Sequence, residues 1–280
     1  MVLQEKISFL PPIKQIISQF NLYTKKSLSQ NFIFDLNLTR KIAKASQCKG
    51  KNVLEIGSGP GSLTRSLLSE GANSILAIEK DMRAVNSLDS LIKISDGKLK
   101  VIHGDAKKFS LENKNFNHKV IVGNLPYNIA TTLIIYWLNQ LNENKLIKVD
   151  NITVTVQKEV AKRMTAEPGN KSYGRLSVFI NLLADAKILF EIPPSAFNPK
   201  PKVDSAVVNI IPLEKPRFNV NFKSFQKITN LAFNQRRKML RQSLKSIGGQ
   251  ILLEKIDIKN NLRAENLSTE DFCKISKILM

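Results

Sequence analysis

The chain predicts an α/β fold built on a mostly parallel sheet, with a small all-α domain after it. Three observations carry this. Short β-branched runs alternate with helical patterns along most of the chain. A glycine-rich segment, Gly57-Ser58-Gly59-Pro60-Gly61, lies between the first strong strand and its helix. After Phe222 the strand signals stop and helical patterns run to Met280. Strands alternating with helices at this spacing make βαβ units.

The elements follow in order. Ile13 to Phe20 predicts a short helix ahead of the core. Asn52 to Ile56 reads as a strand and Ser62 to Glu70 as a helix; Ser74 to Ile78 is a strand and Asp81 to Leu91 a helix. Leu99 to Ile102 and Val120 to Gly123 are strands, Ile129 to Leu138 is helical, and Ile152 to Val156 and Ala206 to Ile211 are further strands. The composition break Pro212-Leu213-Glu214-Lys215-Pro216 sets a boundary near residue 215. The expected organisation is an N-terminal extension (1–21), an α/β domain carrying the candidate site (22–214) and a helical domain (215–280).

A net charge of +20 over 280 residues makes a polyanion the natural partner. Lysine supplies 33 of the 43 basic residues, so compositional bias can inflate the total, and clustering must decide. Cys48 and Cys273 are far apart and only His103 and His118 could join them, so no metal site is expected. The cysteine usage fits a reducing, cytoplasmic setting. No apolar run approaches a membrane span. Pro11-Pro12 breaks the first apolar stretch, which fits a secretory signal poorly.

Asn124-Leu125-Pro126-Tyr127 is the most informative segment. It follows a buried-strand pattern, at the strand end where open α/β sheets place ligands. Two fixed acceptors, the Asn124 side-chain oxygen and the Leu125 carbonyl, suit a planar exocyclic amine such as N6 of adenine. They can hold both hydrogens and draw the nitrogen toward tetrahedral geometry. Pro126 stiffens the turn, and Tyr127 can stack on a base. The plain alternative is a strand-to-helix turn with an Asn cap and a packed tyrosine.

The glycine-rich segment lets the backbone approach a ligand closely. Its pattern places Ser62 where a dinucleotide fingerprint needs its third glycine, which disfavours NAD or FAD. Glu55 precedes the loop, Glu79 ends the second strand and can accept ribose hydroxyls, and Asp105 follows the third strand and can accept from an adenine amino group. An acidic pocket in a basic protein suits S-adenosylmethionine, which carries a sulfonium, a ribose and an adenine. The alternative is that strand-end acids cap helices.

In the tail, Arg236, Arg237, Lys238, Arg241 and Lys245 place five cations in ten residues. Arg237, Arg241 and Lys245 would share one helix face, with Leu240, Leu244 and Ile247 forming an apolar stripe. Phosphate contact is the functional reading and a solvated basic face the plain one. Lys25, Lys26, Lys200 and Lys202 would flank the mouth of the site.

With these residues in view, the chain resembles the ribosomal RNA small-subunit adenine N6-dimethyltransferases, the KsgA/RsmA family. The segments that carry the resemblance are Lys25 to Phe32, Glu55 to Thr64, Glu79 to Met82, Gly104 to Ala106, Asn124 to Asn128, Gln157 to Ala161, Tyr173 to Val178 and Pro193 to Ala206, in that order. It covers roughly residues 22 to 280. It implies a Rossmann-like class I methyltransferase sheet of seven strands, with an antiparallel last hairpin and a C-terminal helical RNA-binding domain. It implies that Asn31 and Ile33 join Gly57, Glu79, Asp105 and Asn124 at the S-adenosylmethionine site. It implies catalytic roles for Asn124, Leu125, Pro126 and Tyr127, and a second stacking face from Phe197. The expected reaction is dimethylation of two adjacent adenosines in the 3′-terminal hairpin of 16S rRNA, within the assembling 30S subunit, by a monomer. Ser29 stands where the family usually has glycine. Rival readings are a large-subunit resistance methyltransferase, a DNA adenine methyltransferase and a binding-only assembly factor.

Overall fold

The computed structural model describes residues 2–22, 31–112 and 117–278. Lys25, Lys26, Ser29 and Gln30 therefore lie outside the described residues. The chain begins with helices α1 (Leu3–Ser8) and α2 (Ile13–Gln19), strand β1 (Phe32–Ile33) and helix α3 (Leu36–Ala45). Then come β2 (Asn52–Ile56), α4 (Ser62–Ser69), β3 (Ser74–Glu79), α5 (Met82–Ser87), α6 (Asp89–Ile94) and β4 (Leu99–His103). β5 (Val120–Asn124), α7 (Ala130–Glu143), β6 (Asn151–Gln157), α8 (Lys158–Met164), α9 (Arg175–Leu183), β7 (Ala184–Ile192), β8 (Phe197–Asn198) and β9 (Ser205–Pro212) follow.

The seven-stranded sheet has the order β4-β3-β2-β5-β6-β9-β7. β2 through β6 pair in parallel, and β9 runs antiparallel to β6. β2, β5 and β6 are buried along nearly their whole length, which is why they read as apolar runs rather than alternations. The chain builds outward from β2 to β4 and then returns to the other side of β2 with β5. That reversal opens a crevice beyond the C-terminal ends of β2 and β5.

Some elements differ from the sequence expectation. The helix expected over Asp81 to Leu91 is two helices that meet at Leu88. The residues alone assign six strands, and β7 is the seventh that the resemblance implies. Its inward residues Ala184, Ala186, Ile188, Phe190 and Ile192 alternate with exposed ones, a period-two signal present in the sequence.

Two compact units divide the chain: Met1–Ala161 with Lys187–Pro212, and Lys162–Ala186 with Leu213–Met280. Residues 162–186, placed by the sequence in the α/β domain, thus group with the helical unit. Tyr173 explains why: it is 1% exposed and meets Phe233 edge-on at 6.2 Å, while Phe233 lies 5.5 Å from Phe272.

The N-terminal extension belongs to the first unit. α1 packs on α4 and α6, and Ile7 enters the main apolar cluster. Ile16 and Leu22 cluster with Ala84 of α5. The buried Arg65 guanidinium of α4 donates to the Pro11 carbonyl at 2.9 Å, a charged hydrogen bond of a kind that contributes about 1.5–3 kcal/mol. The extension therefore rests on the two helices that follow the glycine-rich loop and Glu79.

The helical unit adds α10 (Phe222–Asn234), α11 (Leu240–Ser243), α12 (Gly249–Glu254) and α13 (Thr269–Ile278). The single helix face expected for Arg237, Arg241 and Lys245 does not exist. α10 ends at Asn234, α11 is four residues long, and Lys245 starts a separate 3₁₀ turn. The cause is tertiary: the amides of Leu240 and Arg241 bond to the carbonyls of Leu262 and Asn260 instead of to their own helix. Leu240 and Leu244 are fully buried, as an apolar stripe requires.

Candidate active site

A cleft of about 280 Å³ opens at the sheet reversal. One wall carries Asn31, Phe32, Gly57, Gly59, Glu79 and Asp105; the other carries Asn124 through Ile129. Residues predicted from five separate sequence segments thus line one space. Phe32 is a lining residue the sequence reading did not single out.

The loop after β2 is shaped by its neighbours. Gly59 has φ of +51°, and a Cβ there would sit 2.9 Å from the Phe32 ring. Gly61 has φ of +89°, and a Cβ would lie 2.6 Å from Leu88. Neither position tolerates a side chain without movement. Gly61 is also the N-cap residue of α4.

Glu79 is 5% exposed and organises this wall. It accepts from the amides of Gly59 at 2.8 Å, Lys80 at 2.7 Å and Asp81 at 2.8 Å. Burial pushes its carboxyl above the ordinary value, and the three amides pull it back part of the way. Three of roughly four acceptor directions are used, leaving room for a hydroxyl. Asp105 accepts from the Lys107 amide and pairs with Lys80 at 2.8 Å, which holds its carboxyl below the ordinary value.

Glu55 departs from expectation. It is fully buried, lies outside the cleft lining, and neither oxygen has a hydrogen-bond partner of normal geometry. Burial pushes its carboxyl up to about 8; the nearby Thr64 hydroxyl opposes this and Glu79 adds to it. It is mainly protonated at neutral pH and supplies no charge to the cleft. The acids that line the cleft are Glu79 and Asp105.

On the opposite wall the Asn124 side-chain amide donates to the Asn31 carbonyl at 2.7 Å. A carbonyl can only accept, so the amide nitrogen must face it and the side-chain oxygen points elsewhere. Among the described residues no donor reaches that oxygen or the Leu125 carbonyl. The Leu125 amide is spent on the Thr155 carbonyl of β6 at 3.3 Å, and the Pro126 carbonyl accepts from Ile129 and Ala130 as α7 begins. The Leu125 amide, the Pro126 carbonyl and the Asn124 nitrogen thus fix the turn, while the Asn124 oxygen and the Leu125 carbonyl accept no hydrogen bond among the described residues. The Tyr127 hydroxyl shares a 2.6 Å hydrogen bond with Ser205, at the start of β9. Nothing in the sequence marked Ser205 as a partner.

Two expected site residues are placed otherwise. Phe197 is 4% exposed, belongs to the main apolar cluster and does not line the cleft. The two-stranded pairing of β1 with β8 sets Phe197 opposite Ile33 and turns both inward. Phe197 therefore offers no stacking face in this conformation. Ile33 is buried in the same cluster and lines only a pocket of about 30 Å³ behind the glycine-rich loop.

In the helical unit, Arg236 donates to Glu265 at 2.9 Å and to the Lys171 carbonyl, so it is committed to holding that unit together. Arg237, Lys238, Arg241 and Lys245 are exposed and join no ion pair among the described residues. No group of three His, Cys, Asp or Glu there could hold a metal, and no helix is long and apolar enough to cross a membrane, among the described residues.

The donor set decides which ligand fits. The Gly59 amide is turned into Glu79, and the Gly57 and Gly61 amides are spent on the Ile78 and Ser58 carbonyls, so these three loop amides are closed to a pyrophosphate. Glu79 can take a hydroxyl and Asp105 an amino group, while Phe32, Ile56 and Ile78 give apolar contact to a planar base. Those are the demands of a nucleoside carrying no phosphate, and the fold and cleft place the chain among the class I S-adenosylmethionine-dependent methyltransferases.

The profile described as "Ribosomal RNA adenine dimethylase" matches residues 21–280. A "Ribosomal RNA small subunit methyltransferase A" from Chelativorans sp. (strain BNC1) is 45% identical over 271 residues, covering 96% of this chain and 98% of that protein. A dimethyladenosine transferase structure from Plasmodium falciparum superposes with a TM-score of 0.73 at 27% identity, covering 87% of this chain and 95% of that one. The 23S rRNA methyltransferase ErmE shares the fold, with a TM-score of 0.68 at 22% identity over 88% of this chain and 98% of its own. The chain belongs to the ribosomal RNA adenine dimethylase family.

Proposed function

We propose that the chain transfers methyl groups from S-adenosylmethionine to N6 of two adjacent adenosines in the 3′-terminal hairpin of small-subunit rRNA, within the assembling 30S subunit. It does so as a cytoplasmic monomer. The observation that carries this reading is the pair of open acceptors at the end of β5. Asn124 is anchored through its nitrogen to Asn31, which leaves its oxygen open as an acceptor.

When bound, S-adenosylmethionine supplies an already activated methyl group. Asn31, Gly57, Glu79 and Asp105 would hold it, with Phe32 and Ile78 against its base. The chain's own work is on the adenine. A target base must leave its stack to reach the cleft. Tyr127 then stacks on it, an interaction that contributes roughly 1–3 kcal/mol per base. The Asn124 oxygen and the Leu125 carbonyl accept the two N6 hydrogens and stabilise positive charge as it grows on nitrogen. Fixed alignment of this kind supplies roughly 7–11 kcal/mol in favourable cases. Arg237, Lys238, Arg241 and Lys245 provide cations for RNA phosphates.

The test is methyl transfer from labelled S-adenosylmethionine to undermethylated 30S particles, with 50S particles alongside and mass analysis of the nucleosides. N6,N6-dimethyladenosine on the small subunit alone is the expected result. Label on large-subunit RNA overturns the substrate, and tight 30S binding with no transfer overturns the enzyme reading.

A further inference from the structure

The adenine-stacking ring is the least supported group on its wall by sequence position. It stands half-buried on a turn, and an aromatic side chain there keeps freedom about its first torsion unless its far end is held. The structure holds it. The Tyr127 hydroxyl is 2.6 Å from the Ser205 hydroxyl, across 78 residues of chain.

Ser205 is itself fixed from several sides. It is fully buried and opens β9, where it pairs with Gln157, the last residue of β6. The next residue, Lys158, donates its amide to the Asp204 carbonyl at 2.9 Å. Its ammonium lies 2.6 Å from Glu191 and 3.5 Å from Asp204. Glu191 precedes the proline-rich segment and Asp204 ends it, so Lys158 staples both ends of the segment that delivers Ser205. β6 also holds the other half of the wall, because Thr155 pairs with Asn124 and accepts from the Leu125 amide. One strand therefore sets the two acceptors and the ring in a common frame.

We propose that Ser205 is a positioning residue for methyl transfer: through its hydrogen bond it fixes the plane of the Tyr127 ring relative to the Asn124 and Leu125 acceptors. The inference rests on the proposed stacking of the target adenine on Tyr127. Ser205 itself touches no substrate. Its effect falls on alignment of the base, so it is felt most in the second transfer, when a bulkier N6-methyladenosine must be held at the same angle. Cofactor binding, on the other wall, is untouched.

The test uses the full chain, undermethylated 30S particles and four variants: Ser205→Ala, Tyr127→Phe, the double variant and Tyr127→Ala. Initial methyl transfer, the ratio of mono- to dimethyladenosine and cofactor affinity by calorimetry are measured on each. Ser205→Ala and Tyr127→Phe should each lower kcat/KM about three- to tenfold, with the double variant no worse than either single one. The monomethyl share should rise in all three, while cofactor affinity stays within about twofold. A thermal melt checks folding; if Ser205→Ala unfolds, Tyr127→Phe removes the same bond from the other side and the product ratio decides. Additive losses, or an unchanged product ratio in both single variants, overturn the proposal. Tyr127→Ala at the wild-type rate and product ratio overturns the stacking reading together with it. Loss in Tyr127→Ala with wild-type behaviour in both hydroxyl variants overturns the tether alone.

Discussion

The two walls of the cleft handle their polar groups in opposite ways. On the cofactor wall the polar groups are largely satisfied by the protein. Glu79 takes three backbone amides, the Gly59 amide is consumed in doing so, and Asp105 is paired with Lys80. On the proposed adenine wall the Asn124 nitrogen, the Leu125 amide and the Pro126 carbonyl are bonded, while the Asn124 oxygen and the Leu125 carbonyl are not. The difference matches what each wall must do. A ligand bound the same way in every turnover is served by a preformed surface. A nitrogen whose charge changes during the reaction is served by dipoles that are fixed but unspent.

Removing an unspent acceptor should therefore cost most. Asn124→Ala is expected to lower the rate of transfer by at least about 10²–10³, with little change in cofactor affinity. Single-turnover kinetics beside calorimetry would show it, and a proportionate loss of both would erase the contrast between the walls. Glu79→Gln acts on the satisfied wall and should do the reverse. It removes the charge, forces a donor against backbone amides, and is expected to weaken cofactor binding about tenfold. The rate at saturating cofactor should stay within a few-fold.

Glu55 sharpens the comparison from behind the wall, where a buried carboxyl has only the nearby Thr64 hydroxyl to oppose its desolvation. Its folded value, about 8, lies above its ordinary 4.5. The stability it contributes as a neutral acid is full below about pH 4.5 and is lost as pH rises to about 8. Linkage sets that loss at up to about 5 kcal/mol. Urea unfolding of Glu55→Gln at pH 5 and pH 8 should show a flatter dependence than wild type, and parallel curves would remove Glu55 from the account. The smallest effects are expected in the helical unit, where the same distinction separates two adjacent arginines. Arg237→Ala should reduce the salt dependence of RNA binding by roughly 0.7–0.9 in logarithmic slope. Arg236→Ala, which breaks a bond to Glu265, should instead lower the melting temperature. Equal salt slopes for the two variants would mean that commitment inside the unit does not remove a cation from RNA contact.

Much of this arrangement was legible in the sequence. Asn124, Leu125 and Tyr127 could be placed at the cleft because backbone and side chain near a strand end act locally, and the βαβ rhythm marked which strand end it was. The same holds for Glu79 and Asp105. What escaped was set by partners distant in the chain. Phe197 reads as a stacking residue until β1 pairs with β8 and turns it into the core. Glu55 reads as an anion until its burial is known. The basic helix of the tail reads as continuous until the 260–262 segment takes its amides. Ser205 falls inside the 193–206 segment of the resemblance, but its partner is not legible because a serine at a strand start is unremarkable without the tyrosine opposite it. β7 is the exception, since its alternation was visible and simply not used.

The order of the strands has a kinetic consequence. The described residues of the proposed cofactor wall from Ile56 to Lys107 are joined by successive βαβ units whose closure spans short stretches of chain, whereas Asn31 and Phe32 wait for β1 to pair with β8. The adenine wall is finished only when β9 slides in beside β6, closing a loop of 78 residues between Tyr127 and Ser205. Long-range antiparallel insertion of this kind is slow compared with local βαβ closure. A growing or refolding chain should thus acquire the 56–107 part of its cofactor surface early and its grip on the base late, a sequence of events that delays competence for transfer until the whole sheet is assembled.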